Sequence, residues 1–127
     1  MKLLLDTHAF IFAISAPESL GLKTKRLLQK SSIERWVSVV SLWEIAIKVQ
    51  IGKLDLPRNG DFYAGHLAAL QARTLSVHSN HALGLLALPL HHGDPFDRLL
   101  IAQAKEEGLT FVTRDKAVPA YGIETIW

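Results

Sequence analysis

The chain contains no cysteine. A disulfide framework and a thiolate metal centre are both excluded, and the composition fits a reducing cytoplasm. Long apolar runs are also missing. The opening MKLLLDTHAFIFAIS resembles a secretory signal, but Asp6 and His8 interrupt its apolar stretch, and no later run approaches the length of a membrane span. The segment reads as a first strand followed by a helix, and no membrane association is expected. Charge of one sign is scarce as well, with 14 Lys and Arg against 12 Asp and Glu. There is no internal repeat, linker or low-complexity segment. At 127 residues the chain has the size of one domain, spanning 1–127, with a single substantial core.

The hydrophobic residues, 49% of the chain, fall into two alternating patterns. Short apolar runs at Lys2 to Leu5, Trp36 to Val40 and Leu109 to Val112 read as buried strands, with weaker strands at Thr74 to Val77 and Ile123 to Ile126. Between them the spacing turns helical, over Leu20 to Lys30, Leu42 to Ile51, Asp61 to Ala72, Asn80 to Leu88 and Phe96 to Glu107. Gly52, Pro57, Gly60, Pro89, Gly93, Pro95, Gly108 and Gly122 fall between these segments. Strands that alternate with helices predict an α/β fold with a parallel sheet covered on both faces.

Four acids stand where strand-like segments give way to helices: Asp6 after KLLL, Glu44 in SLWEI, Asp97 in DPFDRLL and Asp115 in FVTRD. Beyond the carboxyl ends of parallel strands lies the ligand crevice of such folds, so acids distant in sequence can meet there. Gathered together they repel one another unless they bind cations. An all-oxygen donor set suits Mg²⁺ or Mn²⁺, ions used in phosphoryl chemistry. Setting these four aside leaves eight other acids against the 14 Lys and Arg. A basic exterior around an acidic pocket suits an enzyme that cuts a polyanion, although from composition alone ordinary solvated helix faces explain the cations better.

Each acid also has a purely structural reading. Asp6 has the position of an N-cap for a helix that starts near Thr7. Ser41 and Glu44 have the S-x-x-E spacing of a capping box, and Glu44 precedes Lys48 at the spacing of a helical ion pair. Asp94 is a good N-cap with Pro95 as the first helical residue, Asp97 is a first-turn acid, and Asp115 suits a turn. Against capping as the whole account, Ser and Thr cap nearly as well without mutual repulsion.

Taken together, LLLDTHAF, VSLWEIAIK, GKLDLP, HHGDPFDRLLIAQA, FVTRD and YGIETIW resemble, in order and spacing, the PIN-domain ribonucleases, and more narrowly the VapC-type toxins of toxin–antitoxin pairs. The resemblance covers the whole chain. It implies a three-layer α/β/α sandwich with a five-stranded parallel sheet of order 3-2-1-4-5. It further implies that Asp6, Glu44, Asp97 and Asp115 bind Mg²⁺ or Mn²⁺, as one ion or two, and catalyse endoribonucleolytic cleavage by metal-activated water. Asp94 belongs to the DPFD motif. Thr7 and Thr113 flank the first and last acids, where similar proteins use a hydroxyl to position a carboxylate or water.

Arg98, Arg114 and Lys116 are candidate phosphate-binding residues, Arg98 equally a carboxylate partner. His8, His91 and His92 could ligate metal, but they lack paired helical spacing, and surface or packing residues are the stronger reading. The implied partners are an RNA substrate, a cognate antitoxin that wraps apolar grooves and obstructs the acidic pocket, and a second copy of the chain. Ala82 to Leu90 and Trp43 are candidate interface residues, with core burial as the stronger reading. Two alternatives stand beside this. One is a phospho-receiver-like signalling domain, for which paired acids after the first strand and a Lys after the last are wanting. The other is a catalytically silent PIN fold that binds only RNA or protein.

Overall fold

In the computed structural model, which describes all residues from Met1 to Trp127, five parallel strands form one sheet in the order β3-β2-β1-β4-β5. The strands are β1 (Lys2–Leu5), β2 (Glu34–Ser38), β3 (Ala72–Leu75), β4 (Thr110–Val112) and β5 (Thr125–Ile126). The helices are α1 (Thr7–Ser15), α2 (Leu22–Leu28), α3 (Val39–Gln50), α4 (Gly60–Ala69), α5 (Ser79–Gly84) and α6 (Pro95–Glu107). No helix is long and apolar enough to cross a membrane.

The two faces of the sheet are separated by strand alternation. In β1, Leu3 and Leu5 join Phe10, Val37, Ile45 and Val112 on one face, while Leu4 joins Leu100, Ile101 and Phe111 on the other. Both sets are almost wholly shielded from solvent. Residues of α1, α2, α3 and α4 cover the first face and α6 the second, giving the expected three layers. α5 lies beyond the second cluster and contributes the buried His81.

The apolar run at Trp36 to Val40 is divided between two elements. The strand stops at Ser38, whose hydroxyl accepts the N–H of Val40 at 3.0 Å and caps α3, so Val39 and Val40 are helical. The expected Ser41 capping box is therefore absent. Ser41 lies inside the first turns of α3, fully buried, and its hydroxyl oxygen accepts from Thr7 Oγ1 at 3.0 Å. A β-rich apolar run cannot itself mark where strand yields to helix, and the cap decides it here. β3 begins and ends earlier than expected, at Ala72 and Leu75. The helix expected over Asn80 to Leu88 is α5 followed by a 3₁₀ turn at Leu85–Ala87.

β1 lies between β2 and β4, and the chain runs outward from it in both directions. This is the topological switch point of the sheet, where the loops leaving β1 and β4 diverge and open a crevice. The main chain fixes the approach: Asp6 N–H donates to Val112 C=O at 3.0 Å, so the residue leaving β1 is hydrogen-bonded to the last residue of β4.

Candidate metal centre

Asp6 caps α1 by accepting the Ala9 N–H at 2.7 Å, as its sequence position predicts. It is also nearly buried. Burial pushes its carboxyl above the ordinary carboxylate range. Hydrogen bonds from Ala9 and from the Thr113 side chain and the charge of His8 oppose the rise, while the charge of Glu44 adds to it. The Thr7 hydroxyl donates to Ser41 Oγ at 3.0 Å and ties α1 to α3.

Glu44 projects from α3 and is 3% exposed. Lys48 Nζ donates to its Oε2 at 2.6 Å, the helical ion pair read from the spacing. Its other oxygen, Oε1, is buried with no hydrogen-bond partner. A buried carboxylate oxygen left in that condition is costly, and a cation is the partner that offsets the cost most strongly.

Asp94 Oδ1 accepts from the N–H groups of Phe96 and Asp97, at 2.9 and 3.2 Å, with Pro95 as the first helical residue. It is an exposed cap, as expected. Leu100 and Ala104 of the same helix are buried against the sheet, which turns Asp97 toward the crevice. Burial and the charges of Asp94, Asp6 and Glu44 push the Asp97 carboxyl up to about 7, against a lowering by His92. Asp97 therefore senses Asp6 and Glu44 although they stand on different elements. Asp115 lies at the exposed rim, its Oδ1 accepting from Ala117 N–H at 2.9 Å and its own N–H donating to Thr113 Oγ1 at 3.1 Å.

One candidate phosphate-binding cation departs from expectation. Arg98 is neither a free phosphate ligand nor a carboxylate partner: its guanidinium donates to Pro89 C=O at 2.7 Å, Leu88 C=O at 3.3 Å and the Tyr121 hydroxyl at 3.3 Å. It pins the loop ahead of α6. Arg114 and Lys116 are exposed, with Arg114 stacked over Phe12 at 5.0 Å.

His92 is the residue that sequence spacing missed. One of its ring nitrogens and carboxylate oxygens of Asp97 and Asp115 all lie within 4.8 Å of one another. The loop from Leu88 to Gly93 brings it there, and the one hint in the sequence is its place just ahead of the acid-bearing helix. His8 and His91 are exposed, as expected.

The PIN domain family model matches residues 3–123. The chain belongs to the PIN domain family. Ribonuclease VapC22 of Mycobacterium tuberculosis is 28% identical over 119 residues, covering 93% of this chain and 90% of that protein. Among solved structures, VapBC2 from Rickettsia felis bound to a promoter DNA fragment matches with a TM-score of 0.74 and 15% identity, over 99% of this chain and 98% of that one. DNA-bound VapBC from Salmonella typhimurium matches with a TM-score of 0.71 and 18% identity, over 99% and 97%. At these identities the structural likeness establishes the fold of this PIN domain, and the chemistry rests on its own site.

The donors present fit a hard divalent ion. They are carboxylates in the main, one with an orphaned buried oxygen and one whose carboxyl burial and neighbouring acids push up.

Proposed function

We propose that this PIN domain is a metal-dependent endoribonuclease and the toxin of a toxin–antitoxin pair. The observation that carries the reading is the meeting of Asp97 and Asp115 with a ring nitrogen of His92, all within 4.8 Å of one another, where burial and the neighbouring acids push the Asp97 carboxyl up, an arrangement that disfavours the charged apo site and favours a bound cation. Asp6, Glu44, Asp97 and Asp115 would hold Mg²⁺ or Mn²⁺. Such an ion, when bound, lowers the pKa of a coordinated water and stabilises charge on a phosphate and its leaving oxygen.

The protein's own groups divide the remaining work. Asp6 is held by the Ala9 N–H, which restrains its carboxylate. Glu44 keeps Oε1 free while Lys48 occupies Oε2. Arg114 and Lys116, beside Asp115 at the rim, have the exposure needed to meet an RNA backbone. Asp94 serves the reaction indirectly, by capping the helix that carries Asp97.

Ribonuclease VapC22 among the relatives, and VapBC among the structural neighbours, support the toxin assignment. A groove of about 550 Å³ between α3 and α4, lined by Leu42, Ile45, Val49, Tyr63 and Leu67 among others and by none of the four acids, suits an apolar antitoxin segment. Core burial was the stronger reading for Trp43 and for Ala82 to Leu90, but Trp43, Leu83, Leu86 and Leu90 are exposed, at 59, 64, 87 and 84%. These exposed apolar side chains suit contact with a second copy of the chain. A cytoplasmic location accords with an RNA substrate and with the lack of cysteine.

Expression in cells tests the proposal. Wild type should arrest growth and produce new RNA ends at defined positions, and coexpression of the antitoxin should reverse both. Asp6→Asn and Asp97→Asn should do neither while remaining folded. Arrest by the acid variants equal to that of wild type would contradict a nuclease mechanism.

A further inference from the structure

Resting on the acid cluster as a metal centre, the geometry points to a nitrogen donor within it: His92, through Nε2, joins Asp97 and Asp115 as a ligand and tunes the site toward Mn²⁺ and later first-row ions over Mg²⁺. Three observations converge on this residue. A ring nitrogen and the two carboxylates lie within 4.8 Å of one another. Donors about 2.0 to 2.2 Å from a shared ion stand up to roughly 4.4 Å apart, so movements of a few tenths of an ångström close the set.

Second, Nε2 of His92 is shielded from solvent and has no hydrogen-bond partner. Buried ring nitrogens are ordinarily satisfied, so this one is a donor site in want of an occupant. Nδ1, by contrast, lies 3.4 Å from the Tyr121 hydroxyl. In the tautomer with its hydrogen on Nδ1, Nε2 keeps a lone pair for an ion.

Third, the ring is held before any ion arrives. The backbone N–H of His92 donates to the Tyr121 hydroxyl at 3.1 Å, and the two rings pack with centroids 5.4 Å apart. Arg98 fixes the same hydroxyl and the carbonyls of Leu88 and Pro89. This explains why Arg98 is spent on a loop at the mouth of the site. His91 packs on the same tyrosine at 4.7 Å, yet it is exposed and lies outside the Asp97–Asp115 group.

The consequence is selectivity. Mg²⁺ demands near-octahedral oxygen ligation and dehydrates reluctantly, whereas affinity of a mixed nitrogen and oxygen site rises from Mn²⁺ onward through the first row. An imidazole in the donor set therefore penalises Mg²⁺ relative to Mn²⁺.

Mn²⁺ titrated into the metal-free full chain, with its ¹⁴N coupling read by pulsed electron paramagnetic resonance and Mg²⁺ used as competitor, tests this. Wild type should show imidazole coupling, replaced by the ¹⁵N pattern in protein grown on ¹⁵N-histidine. His92→Gln and His92→Phe should lose the coupling, and their preference for Mn²⁺ over Mg²⁺ should fall on the order of tenfold. Labelling assigns the coupling to a histidine without any substitution, and two variants of different size at position 92 assign it to His92. Absence of coupling from wild type, or its persistence in His92→Gln with an unchanged metal preference, overturns the assignment of His92. If Mn²⁺ also fails to bind wild type, or binds Asp97→Asn equally well, the acid-site reading falls too. Mn²⁺ binding that depends on Asp97 but ignores His92 removes the histidine alone.

Discussion

Lys48 Nζ lies 2.6 Å from Oε2 of Glu44, while Oε1 of the same buried carboxylate has no partner. The lysine neutralises the charge on one side and leaves the other open to the crevice. Removing the lysine, as in Lys48→Met, leaves an uncompensated buried acceptor and should destabilise the metal-free protein by about 1 to 3 kcal/mol. A bound divalent ion replaces the lost charge. Calorimetry should therefore show a larger loss in melting temperature for Lys48→Met without Mn²⁺ than at saturating Mn²⁺.

Asp97 sets the pH dependence. Its carboxyl titrates at about 7 in the folded chain, against about 3.9 in an unfolded one. Between these values the folded state holds a proton that the unfolded state has released, so metal-free stability should fall as pH rises from about 4 to about 7 and then level off. Asp6, also raised, contributes in the same direction. Urea unfolding of Asp97→Asn should show a flatter profile and higher stability than wild type at pH 8. Metal affinity should run the opposite way in wild type, rising with pH because protons and the ion compete for the same oxygens.

The two classes of cation should separate cleanly. Arg98→Ala frees two backbone carbonyls and the Tyr121 hydroxyl, and should lower stability by about 1 to 3 kcal/mol with little change in the salt dependence of RNA binding. Arg114→Ala and Lys116→Ala should leave stability nearly unchanged. Each should weaken RNA binding and reduce the slope of log affinity against log salt by about 0.7, the value for one single-strand phosphate contact. Fluorescence anisotropy across a salt series checks this with an acid-site variant that binds RNA without cutting it.

The pattern of these assignments shows where sequence is legible. Alternation of apolar runs with helical segments predicted the layered parallel sheet, and the family resemblance added its strand order. Asp6 and Asp94 were read as caps because capping is a local interaction whose partners are near neighbours in sequence. The errors lie where the deciding partner is distant or ambiguous. Val39 and Val40 suit a strand or a helix equally, and the Ser38 cap resolves them. Arg98 finds its acceptors in the preceding loop and in Tyr121, and His92 reaches Asp115 across the crevice. Neither meeting leaves a periodic trace in the chain. Trp43 is exposed although Leu42, Ile45, Ala46 and Ile47 around it are apolar, because α3 turns Ile45 inward and leaves Trp43 to pack edge-on against Phe96 at 5.2 Å.

The central claim is that Asp6, Glu44, Asp97 and Asp115 act together on RNA through a bound divalent ion. The most direct measurement is cleavage of a defined RNA by purified protein stripped of metal, then supplied with Mg²⁺ or Mn²⁺, for wild type and for Asp6→Asn and Asp97→Asn. Asn at position 6 keeps an oxygen to cap α1, so loss of activity there reports on charge and not on folding. The expected result is no cleavage without metal, restoration in wild type, and a loss of at least about a hundredfold in either variant, roughly 2.7 kcal/mol of transition-state stabilisation. Wild-type cleavage in a chelator, or full metal-dependent cleavage by either Asn variant, would contradict it.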